Sequence, residues 1–399
     1  MTRPRLSLEQ FLSDPFGTLA EARTQGWLAD MDMGVAAITY DDVRELLGDA
    51  RLHANFPQFL EQFGITSGPF YEWMAGSPLN RDGAEHARWR SVVSRAFTPR
   101  SVERIRPFLR DAAHSLIDGF AARGSCEFVG EFADAYPSLG LCELIGVPKE
   151  DRDRFRVWSN TIGLGFSPPL VAQRIGEVDR ALTQLLEYAG NLAAERMEEP
   201  RDDLITRIAQ AGAEEKWTLQ EVRAAIAGLV FAGHETTKNQ LGWMVTVLAD
   251  HPEVWDGVAG GSLEADSVVE EVMRHRSAAT AVGRKAVCPI EHKGERLEVG
   301  ERVLLSLWSA DHDESAYRAP DRLDIEGHAG VPHLGFGHGP HYCLGAALAR
   351  AELQEALDAL TARIGCPTVE AGGEWLPPVG INGPVRLPIS FAPRRAAGT

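Results

Sequence analysis

Apolar residues recur three and four positions apart along most of this chain, the spacing of amphipathic helices. Residues 40–49 carry the pattern briefly, and 85–97 carry it as far as Phe97-Thr98-Pro99. It returns over 107–122, over 127–146 with Pro137 inside, over 149–163, and over the long run 170–197. Between the last two, Gly163-Leu164-Gly165-Phe166-Ser167-Pro168-Pro169 breaks any helix. A helix–loop–helix with such a hinge suits the mobile cover of a buried pocket. Thr218 and Glu221 have the spacing of a capping box. No proline follows until Pro252, so one helix of about 32 residues, ~48 Å long, is predicted over 218–250. Its stretch 224–232 is apolar almost all round and should be buried. A further helix is predicted over 264–276.

The period-two signals are short. Trp27-Leu28-Ala29-Asp30 and Val35-Ala36-Ala37-Ile38-Thr39 read as two strands, with Met33-Gly34 near their turn. Residues 280–284 read as a strand and 297–305, around Gly300, as a hairpin. A strand pair near 379–391, interrupted by Gly380 and Asn382-Gly383-Pro384, closes the chain and offers a last pocket wall. Residues 55–80 show no clean period and are read as a long irregular loop, a usual place for function. Its Phe56, Phe59, Phe63, Phe70 and Trp73 would make an apolar wall, although any one of them suits the core of two short helices equally well. The fold class is mainly α: one helical domain over 1–399 with a small β-sheet region.

Composition narrows the setting. A chain of 399 residues, 44% hydrophobic, can bury one large core or two smaller ones. A net charge of −17 disfavours nucleic acid as a partner. Cysteines 126, 142, 288, 343 and 366 are odd in number and lack paired spacing, which points to a reducing compartment without disulfides. No apolar run of about 18 residues occurs, and the start, Met1-Thr2-Arg3-Pro4-Arg5-Leu6-Ser7, lacks a signal-peptide core. The expectation is a cytoplasmic protein with no membrane partner.

The chemistry centres on Phe336-Gly337-His338-Gly339-Pro340-His341-Tyr342-Cys343-Leu344-Gly345, followed by the helical pattern 346–353. Cys343 stands where a glycine-rich loop meets a helix N-terminus, which favours a thiolate. The glycines let backbone approach something flat and bulky. No second cysteine lies near enough for a zinc or iron–sulfur spacing. One thiolate beside a large flat partner points to an axial ligand of haem iron.

Phe-Gly-x-Gly-x-His-x-Cys-x-Gly resembles, at every fixed position, the haem-binding loop of the cytochrome P-450 family. The resemblance covers about residues 10–390 and includes three further motifs. His86 and Arg90, four apart on a helix, match a His-x-x-x-Arg that binds haem propionates. Ala232-Gly233-His234-Glu235-Thr236 matches the oxygen-activating helix. Glu271-Val272-Met273-Arg274 matches a structural Glu-x-x-Arg, with Arg322 of Pro320-Asp321-Arg322-Leu323 as its third partner. Arg284 matches another propionate ligand. Departures are Ala310-Asp311-His312-Asp313 where the family usually has Ala-Asn-Arg-Asp, Leu323 for phenylalanine, Gly327 for a common arginine, and no proline after the Glu-x-x-Arg helix. They touch loop packing and leave the haem loop intact.

The resemblance implies a haem-thiolate monooxygenase acting with O2 on a small apolar organic substrate. The cofactor would be haem b, held by Cys343 as iron ligand and by His86, Arg90, Arg284, Phe336, His341 and Gly345. Glu235 and Thr236 would be the catalytic pair, relaying protons at a helix locally opened by Gly233. Phe70, Trp73, Val230, Ala232, Gly233, Ala281, Val282 and Ile381 would line the substrate pocket. Electrons would come from a ferredoxin and ferredoxin reductase, docking on a basic face drawn from Arg88, Arg95, Arg100 and Arg350. The alternatives are a haem-thiolate enzyme working with peroxide, by isomerisation or by oxidative coupling, and a non-catalytic haem sensor.

Overall fold

The computed structural model describes residues 3–32, 34–166 and 168–394. Met33, expected near a turn, and Ser167, expected in the breaker run, lie outside them. Chain contacts divide the protein into two compact units. One comprises residues 1–88, 270–343 and 377–382, the other 89–269, 344–376 and 383–399.

The first unit is built on a five-stranded sheet in the order Leu28–Met31, Gly34–Ala37, Arg302–Ser306, Ala281–Ala286, Leu52–Ala54. The first two strands form the expected antiparallel pair. The expected hairpin over 297–305 does not form. Arg302–Ser306 runs parallel to Gly34–Ala37 and antiparallel to Ala281–Ala286. The hairpin lies earlier, between Ile290–His292 and Glu295–Leu297. Its two turn residues, Lys293 and Gly294, have φ of 45° and 82°, the positive pair that a tight hairpin with the natural strand twist demands. Residues 55–80 are also not an irregular loop. They fold as helices Phe56–Glu61 and Pro69–Gly76 and a 3-10 turn Pro78–Asn80. Prolines in the first turn start all three, where their missing N–H costs nothing. Phe70 and Trp73 are buried there, with ring centroids 6.0 Å apart.

The second unit is mostly helical. The helix expected from 107 begins at Pro99 instead and runs to Asp118, capped by Thr98 and Ser101 in reciprocal hydrogen bonds. Pro107 sits inside it on the exposed face. Residues 127–146 divide into the strand Ser125–Glu127, a π-helical stretch Val129–Ala133 and the helix Ala135–Ile145. The strand pair expected near 379–391 is likewise replaced. Pro384–Arg386 pairs with Glu374–Trp375, while Pro388–Ser390 pairs with Ser125–Glu127 and Thr368–Val369. The pairing of Pro388–Ser390 with Ser125–Glu127 is long-range, and no local pattern encodes it.

The central helix Leu219–Ala249 is as expected: Thr218 Oγ1 accepts from Glu221 N at 3.2 Å, and Glu221 Oε2 accepts from Thr218 N at 2.8 Å. It is buried over most of its length. One stripe stays accessible at Ala224, Gly228, Ala232 and Thr236, and at Leu229 and Gly233 beside them. The helix does not open at Gly233. A Cβ there would sit 3.0 Å from Leu141 Cδ1, so the glycine serves close packing against Ala135–Ile145.

Candidate active site

In the first unit, the loop that carries Cys343 is a sequence of forced turns. Gly337 and Gly339 both have φ of +71°, and a Cβ on Gly339 would lie 2.9 Å from Gly48 Cα. Only glycine fits both the conformation and the space. Cys343 N donates to Phe336 O at 2.9 Å and closes the turn. The Cys343 side is exposed. Gly345 then caps the helix Ala346–Arg363 and accepts from Ala349 N. By contrast, Cys126 and Cys142 are buried, and burial pushes each thiol up to about 12. Neither can offer a thiolate near neutral pH.

The loop is anchored through its approach. Leu334 N donates to Asp311 Oδ1 at 2.8 Å. The Asp311 carbonyl accepts from Arg274 Nη1, as does that of Pro320, and Arg274 Nη2 reaches the Arg322 carbonyl. Arg274 also makes a two-point pair with Glu271. The expected third partner, the Arg322 side chain, is exposed and plays no such part. His328 takes the place: its Nδ1 is 3.0 Å from Glu271 Oε1 and its Nε2 is 2.8 Å from the Arg318 carbonyl. The absent arginine at Gly327 was the one hint of this exchange. Asp311, fully buried, has its carboxyl pushed up to about 7 by burial, against the pull of His333, the Leu334 N–H and Arg274.

Three of the predicted cofactor residues come together in the same unit. His86 is buried, and its ring lies against that of His341 with centroids 4.2 Å apart. His341 Nε2 is 2.9 Å from Asp82 Oδ1. Arg284 is 6% exposed and donates to the Gly283 carbonyl; burial lowers its pKa, and the charge of Asp82 only partly offsets that. Asp82 was missed from the sequence, although it stands just before the helix Gly83–Ala96 that carries His86 and Arg90. Ala281 and Val282 are half-buried on the central sheet, and the half-buried Ile381 bridges to Ala279.

In the second unit the catalytic candidates occupy the middle of Leu219–Ala249. Thr236 Oγ1 donates to Ala232 O at 2.8 Å, on the accessible stripe with Ala232 and Gly233. Glu235 is 7% exposed, and its Oε2 lies 2.6 Å from Lys238 Nζ. Val230 is buried. Arg95, expected on a free basic face, is committed to Glu215 at 2.9 Å and Glu214 at 3.8 Å. Among the described residues, no helix is long and apolar enough to cross a membrane.

Comparison with known proteins places the chain in one family. The cytochrome P-450 family model matches residues 171–259 and 265–362. Luteothin monooxygenase of Streptomyces thioluteus is 32% identical over 94% of this chain and 92% of that protein. The mycinamicin IV hydroxylase/epoxidase of Micromonospora griseorubida is 36% identical over 88% and 87%. Among solved structures, CalO2 superposes with a TM-score of 0.89 at 26% identity, over 98% of each chain. With a relative this similar along almost its whole length, the chain belongs to the cytochrome P-450 family of haem-thiolate monooxygenases.

Proposed function

We propose that this chain inserts one atom of O2 into a small apolar organic molecule, using haem b and two electrons from a ferredoxin and its reductase. The observation that carries the reading is the closed turn from Phe336 to Cys343, which ends on an exposed cysteine. The residues present suit haem. An accessible thiol can ligate iron. A buried guanidinium at Arg284, with a backbone carbonyl as its hydrogen-bond partner, calls for a carboxylate such as a propionate. His86, His341 and Arg90 would share that task, and Phe336 and Gly345 would flank the iron ligand. When bound, the haem supplies an iron centre whose thiolate ligand favours O–O cleavage.

The chain's own residues manage protons and substrate. The Thr236 hydroxyl is accessible and can exchange its bond to the Ala232 carbonyl for one to a water. Glu235, next to Thr236 in the chain, can take up a proton at its carboxylate and pass it on. Ala232 and Gly233, accessible on the central helix, would give an apolar substrate its contacts, and the buried Val230 would pack behind them within the same helix. Five cysteines that form no disulfide among the described residues fit a reducing, cytoplasmic setting.

The test starts from apolar compounds selected by the optical spin-state change they cause. Each is incubated with isotopically labelled O2, NAD(P)H, ferredoxin and ferredoxin reductase. One labelled oxygen atom per product is expected. Product formed with peroxide alone, and none with O2, would replace this reading by the peroxide-driven one.

A further inference from the structure

Glu235 does not stand alone in its helix. Lys238 and Asn239 follow it at three and four residues, on the same face. Lys238 Nζ donates to Glu235 Oε2 at 2.6 Å, and Asn239 Nδ2 lies 3.1 Å from Oε1. Both charged side chains are nearly buried, at 14% and 10% exposure. Lys238 Nζ also donates to Asn160 Oδ1 at 3.1 Å, across to the helix Arg152–Gly163. Asn160 Nδ2 continues to Asp134 Oδ1 at 2.7 Å, and Asp134 Oδ2 accepts from the half-buried Arg156 at 2.6 Å. His234 Nε2 lies 2.8 Å from the Asp134 carbonyl. Burial would raise the Asp134 carboxyl, but the bonds from His234, Asn160 and Arg156 outweigh it and hold it below the usual range. The network therefore has two carboxylates, Glu235 and Asp134, and two cations, Lys238 and Arg156. The amide of Asn160 is oriented between them.

We infer that Lys238 is a positioning residue for the monooxygenase reaction, holding Glu235 as a buried carboxylate aimed at the helix Arg152–Gly163, with Asn160 as the anchor of Lys238. The inference rests on the monooxygenase reading for its consequence, although the pairing itself does not. Its physical basis is the cost of an unpaired buried charge. A side chain this buried is far less costly to charge with a cation paired to it. Without Lys238, Glu235 would lose the partner that fixes its carboxylate beside the helix Arg152–Gly163. Asn160 matters because its carbonyl oxygen accepts from Lys238 while its amino group is committed to Asp134. It therefore fixes where the ammonium sits.

The experiment compares Lys238→Met, Lys238→Arg and Asn160→Ala in the haem-loaded full chain, and crosses Lys238→Met with Glu235→Gln. Haem content and the reduced carbon-monoxide spectrum should stay as in the wild type. In Lys238→Met, product formation should fall by about 10²-fold, the low end for a lost acid–base contribution. The solvent isotope effect on NAD(P)H consumption should rise. Lys238→Arg should restore both, since a guanidinium can pair with the carboxylate. Asn160→Ala should lie between. In urea unfolding, the midpoint lost on Lys238→Met should largely disappear in the Glu235→Gln background, because no carboxylate is then stranded. Equal midpoint losses in both backgrounds, or an unchanged isotope effect in Lys238→Met, would overturn the assignment. If the wild type yields no O2-derived product, the monooxygenase reading fails, and the unfolding cycle still decides whether Lys238 holds Glu235.

Discussion

His341 Nε2 and Asp82 Oδ1 lie 2.9 Å apart, joining the cysteine loop to the residue before the His86 helix. Asp82 Oδ2 also accepts from Ala54 N at 3.0 Å. Burial raises the Asp82 carboxyl, and the bonds from His341 and Ala54 more than reverse that, holding it below the usual range. One side chain thus orients the histidine ring and ties down a strand end.

Asp82→Ala removes both bonds. It should cost about 1–3 kcal/mol of folding stability and speed haem loss to a scavenger protein. Asp82→Asn, which can keep the bond from Ala54, should lose less. In the wild type this stabilisation is present above the ordinary carboxylate pKa of about 4 and fades as the pH falls below it. Urea unfolding at several pH values measures it, and an Asp82→Ala chain as stable as the wild type at neutral pH would contradict it.

Arg284→Met should act with opposite sign in the two states of the protein. Without haem, the guanidinium is a buried charge with little compensation, so its removal should leave the melting temperature unchanged or raise it. With haem, the same change should weaken cofactor binding by roughly tenfold or more, as expected for a charged hydrogen bond of about 1.5–3 kcal/mol. Calorimetry of the haem-free protein beside haem titration checks both halves. A destabilised haem-free variant would mean that Arg284 serves the fold alone.

Asp311 gives a pH dependence of the other sign. Its folded-state value of about 7 lies above the ordinary carboxyl pKa of about 4. The folded chain therefore holds a proton that the unfolded chain releases. Stability should fall as the pH rises from about 4 to about 7, by roughly 4 kcal/mol at most, and stay level above that. Asp311→Asn keeps an acceptor for Leu334 N and cannot ionise, so it should flatten that slope. Unfolding free energies between pH 4 and 8 test it, and an unchanged slope in Asp311→Asn would contradict it.

What was legible in the sequence was chemistry confined to one segment. The turn from Phe336 to Cys343 needs its glycines locally, and the Thr218–Glu221 cap declares the long helix within four residues. What stayed hidden depends on distant partners. Arg302–Ser306 chooses strands from elsewhere in the chain, so its hairpin reading failed. Residues 55–80 concealed two helices because prolines and aromatics blurred a period only two turns long. His328 could not be preferred to Arg322 as the partner of Glu271, since either sits within reach in sequence. Gly233 read as a break because a sequence does not show Leu141 lying against it.

The most direct test of the account is the reduced, carbon-monoxide-bound spectrum of the haem-loaded wild type beside Cys343→His. The wild type should show the band of thiolate-ligated haem, and Cys343→His should move it to the position of imidazole ligation. A band that stays in place in Cys343→His would show that another residue holds the iron and would contradict the reading of the loop.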